Sequence, residues 1–256
     1  PPLPYTTLFR SILVSQALNQ ISDSVNNEGL KLQEHILNQR QDTLLLSMLP
    51  DIQELNLNTK THATNNKILV QKIFTALIKT KSHYSQIRYI DSMGHEAVRI
   101  ENINGNIITV PDKALQNKSS TDYFIKTKTL NQGETYLSEI NLNREHGKVV
   151  VPHTPVLRTA IPIYKKAGDL FGIVIINLNL NDEFKRLYHN HQQQGHTLYM
   201  TNDQGDFLMH PDKEKSFTFD LNKSHKVQFE LPHLTRFFLP DNTKNIFIKK
   251  IEIDNK

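Results

Sequence analysis

The chain has 256 residues, 38% hydrophobic and 22% charged, with a formal net charge of +4 and a pI near 9.1. That length and balance supply a core for one large domain or two modest ones and exclude a largely disordered chain. Cysteine is absent, which excludes disulfides, thiolate metal sites and a cysteine nucleophile, and fits an oxidising compartment. The basic residues are dispersed: beyond Lys165-Lys166 and Lys249-Lys250 there is no dense cluster and no basic-aromatic stripe, so no nucleic-acid partner is expected. No run of about 18 apolar residues is present to span a bilayer. The opening Pro1-Pro2-Leu3-Pro4 does not read as a signal peptide. If the native protein is membrane-bound, this sequence is its soluble part.

Residues 6–49 contain no proline and one glycine, Gly29. Leu18, Ile21, Val25, Leu32, Ile36 and Leu46 fall at about half-heptad spacing and predict a long amphipathic helix. Glu28, His35 and Gln39 interrupt that stripe, so a tight coiled coil is not required. Two roles stay open: a helix lying along its own domain, and a dimer-forming or signal-carrying stalk. Pro50 ends or kinks the helix. A second helix is predicted over 65–82, with Val70, Phe74, Leu77 and Ile78 on one face and Asn65 or Asn66 as its cap.

The period then changes from helical to alternating. Residues 85–91 and 97–102 form a hairpin about Asp91-Ser92-Met93-Gly94, with Gly94 available for a positive φ. Ile87 and Tyr89 share one face, and Arg88 and Ile90 the other. Residues 102–131 are looser, with a short helix near 120–129. Strands follow at 134–140, 157–164 and 170–178, the last pair joined by a turn at 165–169 containing Gly168. The apolar run 171–176 is the central strand. Residues 177–187 read as helix and 189–195 as a polar linker. A further hairpin occupies 197–201 and 206–210, turning on Asn202-Asp203-Gln204-Gly205. The parallel between 89–94 and 199–205, with the order around it, points to duplication.

At this point the residues themselves are familiar. Tyr84-Ser85-Gln86-Ile87-Arg88-Tyr89-Ile90-Asp91, then Gly94-His95-Glu96-Ala97-Val98-Arg99-Ile100, resembles the first hairpin of double Cache, or double PDC, sensor domains. These occur in bacterial histidine kinases, chemoreceptors and diguanylate cyclases. The likeness continues through Lys118-Ser119, Asp122-Tyr123-Phe124, residues 136–143, Pro155-Val156-Leu157-Arg158, residues 160–164 and residues 172–177. Residues 203–212 resemble a membrane-proximal Cache repeat. The series covers nearly the whole chain.

The resemblance implies an α+β (mixed α/β) fold: a stalk helix over 1–57, a membrane-distal module over 58–187 and a membrane-proximal module over 188–256. Each module would carry an antiparallel sheet of about five strands. The second is short, and its last strand and exit helix are expected to be missing. The implied function is extracytoplasmic ligand sensing in the periplasm, for an inner-membrane receptor held by flanking helices. A histidine kinase is the first choice, with a diguanylate cyclase or chemoreceptor behind it. The chain itself would be no enzyme and would need no cofactor or metal, and homodimerisation would run through the N-terminal helix. The amino-acid-binding subfamily carries a Trp shortly after its pocket arginine. This chain has no Trp, which counts against an α-amino-acid ligand.

A carboxylate ligand needs donors, and an arginine fork supplies paired, charge-assisted bonds. At about 1.5–3 kcal/mol each, one arginine and two hydroxyls would support micromolar binding. The candidates are Arg88, Lys118, Tyr123, Tyr136, Ser138 and Arg158, with Arg99 nearby. Lys118 and Tyr123 rank first because they lie in the crossover that covers the sheet. The competing reading pairs Arg88 and Arg99 with Asp91, Glu96 or Glu101 across the hairpin, and places Tyr89 and Tyr164 in the core. His189, His191 and His196 lack an acidic or cysteine partner at ligand spacing and read as a solvated linker. No phosphate-binding glycine loop, His-Glu-x-x-His helix or dinucleotide fingerprint occurs. The alternative function is a ligand-free interaction module answering to a periplasmic protein. A hydrolase would need a nucleophile and base that the sequence does not offer.

Overall fold

A computed structural model of the chain describes residues 4–53, 60–165, 168–193 and 195–238. It opens with helix α1 (Pro4–Met48), followed by α2 (Pro50–Gln53) and α3 (Lys60–Thr80). Pro50 lacks an N–H and cannot continue α1, but its fixed φ suits the first position of α2. The chain therefore breaks at Leu49. The expected 57/58 boundary lies outside the described residues. α3 starts earlier than the periodicity predicts, so neither Asn65 nor Asn66 caps it. Its buried Val70, Phe74 and Ile78 repeat every fourth residue and make one apolar stripe.

One antiparallel sheet carries most of the remaining order. Its strands are β1 (Tyr84–Asp91), β2 (Glu96–Ile103), β3 (Asn106–Thr109), β4 (Tyr136–Leu137), β5 (Asn141–Leu142), and, after the small hairpin β6 (Arg144–Glu145) and β7 (Lys148–Val149), β8 (Pro155–Tyr164) and β9 (Leu170–Asn179). The order is β3-β2-β1-β9-β8-β4, with β5 also on β8. The apolar run 171–176 is central, as predicted, because β9 lies between β1 and β8. Helix α4 (Asp122–Thr127) crosses between β3 and β4. Residues 134–140, expected as one strand, pair with β8 only over Tyr136–Leu137, and β3 and the β6–β7 hairpin were not foreseen.

β9 runs on to Asn179, so helix α5 (Asn181–Gln193) starts later than predicted and takes in most of the expected linker. His191 is 3% exposed there and packs against the His196 ring, which corrects the solvated-linker reading. Beyond α5, β10 (Met200–Thr201) and β11 (Phe207–Met209) form only a two-stranded ribbon, followed by the four-residue α6 (Val227–Glu230). The expected five-stranded second sheet is not found among the described residues. The strand expected to run to His210 stops at Met209, and His210 follows it, buried, with Nε2 3.1 Å from a Glu230 carboxylate oxygen.

The two faces of the large sheet bury different chemistry. Ile87, Tyr89, Val98, Ile100, Val174, Ile176 and Leu178 pack with Leu46, Ile52, Val70, Phe74 and Ile78 from the helices. Within that apolar layer Gln39 of α1 is fully buried, and its Nε2 donates to the carbonyls of Ile176 (2.8 Å) and Leu157 (3.3 Å). His35 stacks on His83 at 5.5 Å, and Glu28 accepts from Arg186 of α5 at 2.6 Å. All three polar interruptions of the α1 stripe thus help dock it on its own domain, as does Asp42, which accepts from the Tyr84 hydroxyl at 2.6 Å.

Gly172 lets β9 pass close to β1. A Cβ there would lie 2.5 Å from the Ile90 carbonyl oxygen and 2.6 Å from the Tyr89 hydroxyl. Gly172→Ala is expected to destabilise the protein by about 1–3 kcal/mol, because backbone and a buried ring must move. Urea denaturation measures it, and an unchanged midpoint would show that β9 has room to spare.

Candidate functional site

Alternate residues of each strand face the same side, so the register sets out the second face in rows. One row runs Arg99, Arg88, Ile175, Ala160 and Tyr136, from β2 to β4. The next runs Glu101, Gln86, Asn177 and Arg158. Toward the other end, Ile90, Ile173, Ile175 and Ala160 form an apolar cluster under Phe124 of α4, with Tyr123 and Tyr136 packed at its margin. The face is therefore greasy at one end and ionic at the other, and both halves are covered.

Arg88 is 3% exposed. Its Nη1 donates to Glu96 (3.3 Å) and the Tyr123 hydroxyl (3.2 Å), and its Nη2 to Asn177 (3.0 Å). Its guanidinium also lies 5.3 Å from the centre of the Tyr123 ring. Its Nε is buried with no hydrogen-bond partner among the described residues. Arg99 pairs with Glu96 (3.5 Å), Glu145 (2.7 Å) and Glu101. Glu96 also accepts the Gln116 N–H (3.0 Å), while Glu145 accepts from the side-chain amides of Gln86 and Gln116, each at 2.9 Å. Lys118 donates to Gln116 (2.8 Å) and lies 3.9 Å from Glu145.

Arg158 differs from the others. It is 7% exposed, its guanidinium donates to Asn141 (2.5 Å), and it forms no ion pair among the described residues. Burial, followed by repulsion from Arg88, pulls its pKa down to about 10. Burial and Arg88 likewise lower the pKa of Lys118, whereas Arg88 itself is held firmly charged because Tyr123, Glu96 and Glu145 outweigh its desolvation. The cluster contains the cations Arg88, Arg99, Lys118 and Arg158 against the carboxylates Glu96, Glu101 and Glu145, an excess of one positive charge.

Of the six predicted residues, Arg88, Lys118, Tyr123, Tyr136 and Arg158 come together on this face. Ser138 does not join them through its hydroxyl, which accepts the Arg158 backbone N–H (2.9 Å) and donates to the Glu139 carbonyl (2.7 Å). Arg88 pairs across the hairpin with Glu96, whereas Arg99 pairs with Glu96 and Glu101 of its own strand. Tyr89 is core, whereas Tyr164 is partly buried and donates to the Leu130 carbonyl (2.5 Å). Sequence reasoning missed Gln86, Gln116, Glu145 and Asn177. Asn177 carried a signal, a polar residue closing the most apolar strand, and buried amides need partners. Glu145 carried none, since its hairpin was not recognised.

Burial would raise the Glu145 carboxyl, but Arg99, Gln86, Arg88 and Gln116 hold it at about 2, below its ordinary 4.5. A depressed carboxyl stabilises the fold fully above the unfolded value and loses that contribution as pH falls through the folded one. Stability is therefore expected to drop by about 2 kcal/mol between roughly pH 5 and pH 2, after discounting for partial solvent screening. Urea melts at both pH values, with Glu145→Gln flattening the difference, check the assignment.

A long N-terminal helix laid on a mixed-order antiparallel sheet matches the fold of Cache/PDC-like sensor domains. The model for the bacterial histidine kinase sensor domain matches residues 16–235, and the chain belongs to that family. It is an extracellular sensor region of a bacterial membrane receptor, and among the described residues no helix is long and apolar enough to cross a membrane. The fold is similar to the extracellular domain of the proposed histidine kinase vpHK1S-Z8 (TM-score 0.71, 19% identity, 87% of this chain and 77% of that one). It is also similar to a domain of a sensory box/GGDEF family protein from Vibrio parahaemolyticus (0.70, 20%, 87% and 82%). A third likeness is to the sensory domain of the Campylobacter jejuni chemoreceptor Tlp3 with isoleucine bound (0.57, 14%, 92% and 84%). No curated protein is matched.

Proposed function

We propose that this sensor domain belongs to a histidine kinase and binds a small organic anion on the α4-covered face of the large sheet. The observation that carries the reading is Arg158, a buried guanidinium with no carboxylate paired to it among the described residues. A lone buried cation is costly, and a ligand carboxylate supplies its missing partner. Arg88 Nε and the hydroxyls of Tyr123 and Tyr136 stand around the same place as further donors. The isoleucine held by Tlp3 supports a small-molecule ligand in this fold.

The route to output is short. Arg158 and Asn177 face the ionic cluster, while the carbonyls of their neighbours Leu157 and Ile176 accept from Gln39 of α1. A ligand that shifts β8 against β9 changes the bonds that hold α1, biasing two packings of that helix. Arg144, next to Glu145, grips Asp220 at 2.9 Å and links the cluster to the segment after α5. That arrangement supports a division into a distal module, 58–187, and a proximal module, 188–256. Leu30, Leu37 and Met48, at 62%, 46% and 59% exposure, support pairing of α1 with a second copy.

Thermal shift with a panel of organic anions tests the reading. At about 100 times its Kd a ligand adds about 2.7 kcal/mol, or roughly 5–10 °C for a domain this size. A panel that leaves the melting temperature unchanged would favour a protein partner instead.

A further inference from the structure

The open edge of the large sheet lies away from the Arg158 face. From β3 and the groove beside it, we infer that this edge takes up an extended acidic segment of a partner protein as an added strand. β3 ends the strand order and pairs with β2 without a bulge. Val110, directly after it, donates its N–H to the Arg99 carbonyl (3.0 Å). Backbone direction alternates along an antiparallel strand. Ile108 therefore turns toward β2 as Val110 does, while Ile107 and Thr109 turn their N–H and C=O groups outward. Natural sheet edges are blunted by lysine, proline or a bulge, and Asn106-Ile107-Ile108-Thr109 has none of these.

Both sides of this edge offer apolar surface. Ile103 and Ile108 share the Glu101 side and are 49% and 42% exposed. On the other side an open groove of about 370 Å³ lies between β3 and α3, and Ile68 in it is 43% exposed. The side chains of an added strand alternate between the two sides and cover both. Charge selects the occupant. Helix α3 carries Lys60, Lys67, Lys72 and Lys79 and no acidic residue. Lys67 is taken by Asp112 (2.6 Å), whereas Lys72 and Lys79 line the groove and form no ion pair among the described residues. Seven residues of helix separate them by about 10 Å. Carboxylates four residues apart on one side of a strand are about 13 Å apart, which flexible lysine arms can span. A second copy of this chain meeting the edge two-fold would bring the same lysines and, in α3 and β3, no carboxylate.

Fluorescence anisotropy of the intact domain with labelled Thr-Glu-Val-Ile-Thr-Glu-Val tests this, because alternation puts both glutamates and the isoleucine on one side. The peptide is expected to bind, and its form with lysine for both glutamates to bind at least about tenfold more weakly. Two complementary forms are N-methylated at every second amide. One is expected to bind and the other to lose at least about tenfold, because strand addition uses one edge of the peptide. Lys72→Glu with Lys79→Glu is expected to cost about tenfold with an unchanged circular dichroism spectrum. Thr109→Pro removes an outward N–H, leaves the β2 ladder intact and is expected to weaken binding severalfold in the folded protein. No binding, equal binding of the lysine form or of both N-methylated forms, or binding untouched by both variants overturns the inference. Phosphatidylglycerol vesicles held through Lys72 and Lys79, with no peptide bound, overturn it in favour of a lipid surface.

Discussion

Arg158→Met is expected to raise the melting temperature of the free protein by several degrees while removing anion binding. The guanidinium is 7% exposed, donates only to Asn141 and pairs with no carboxylate among the described residues, so its desolvation is largely uncompensated. Replacing buried ionic groups with well-packed apolar ones of similar volume is often stabilising, by about 1–4 kcal/mol. The lost bond to Asn141 offsets about 1–2 kcal/mol of that gain. A net gain of about 1 kcal/mol corresponds to roughly 2–4 °C. That pair of results, a gain in stability with a loss of binding, is what the anion-binding proposal expects at this residue. A melting temperature lowered by several degrees would instead make Arg158 a structural residue.

Glu96→Ala is expected to have the opposite effect. The Glu96 side chain is fully buried and receives Arg88 at 3.3 Å, Arg99 at 3.5 Å and the Gln116 N–H at 3.0 Å. Removing it leaves two buried guanidinium groups sharing fewer anions, a loss of about 3–5 kcal/mol. That is a fall of roughly 10 °C or more. Glu96→Gln keeps an acceptor for one of them and should lose less. Urea denaturation of both variants separates the charge from the volume, and a loss under 1 kcal/mol would show that Arg99 redistributes to Glu101 and Glu145.

The two faces of the hairpin 86–101 explain how far the sequence could be read. Alternation assigned Ile87 and Tyr89 to one side and Arg88 to the other, and the register bears that out. Alternation cannot tell a solvated polar face from a buried one. Arg88 and Arg99 are buried because α4 and the 116–118 segment close over them, a tertiary event with no local period. The α1 stripe misled in a useful way. Glu28, His35 and Gln39 looked like breaks in an apolar seam, whereas each bonds or stacks with a distant element. Short pairings such as β4, β5 and the β6–β7 hairpin span two residues each, too few for a period of two to register. Residues 189–195 read as linker from their polarity, yet their helix is held by partners on α1, including Glu28 on Asn190.

The central claim is positional: a small organic anion sits at Arg158 on the α4-covered face. A crystal structure grown with the anion that gives the largest thermal shift locates it. The account predicts its carboxylate within hydrogen-bond reach of Arg158 and Arg88 Nε. The anion in the groove between α3 and β3, beside Ile68, Lys72 and Thr109, with the Arg158 face unchanged, would contradict it.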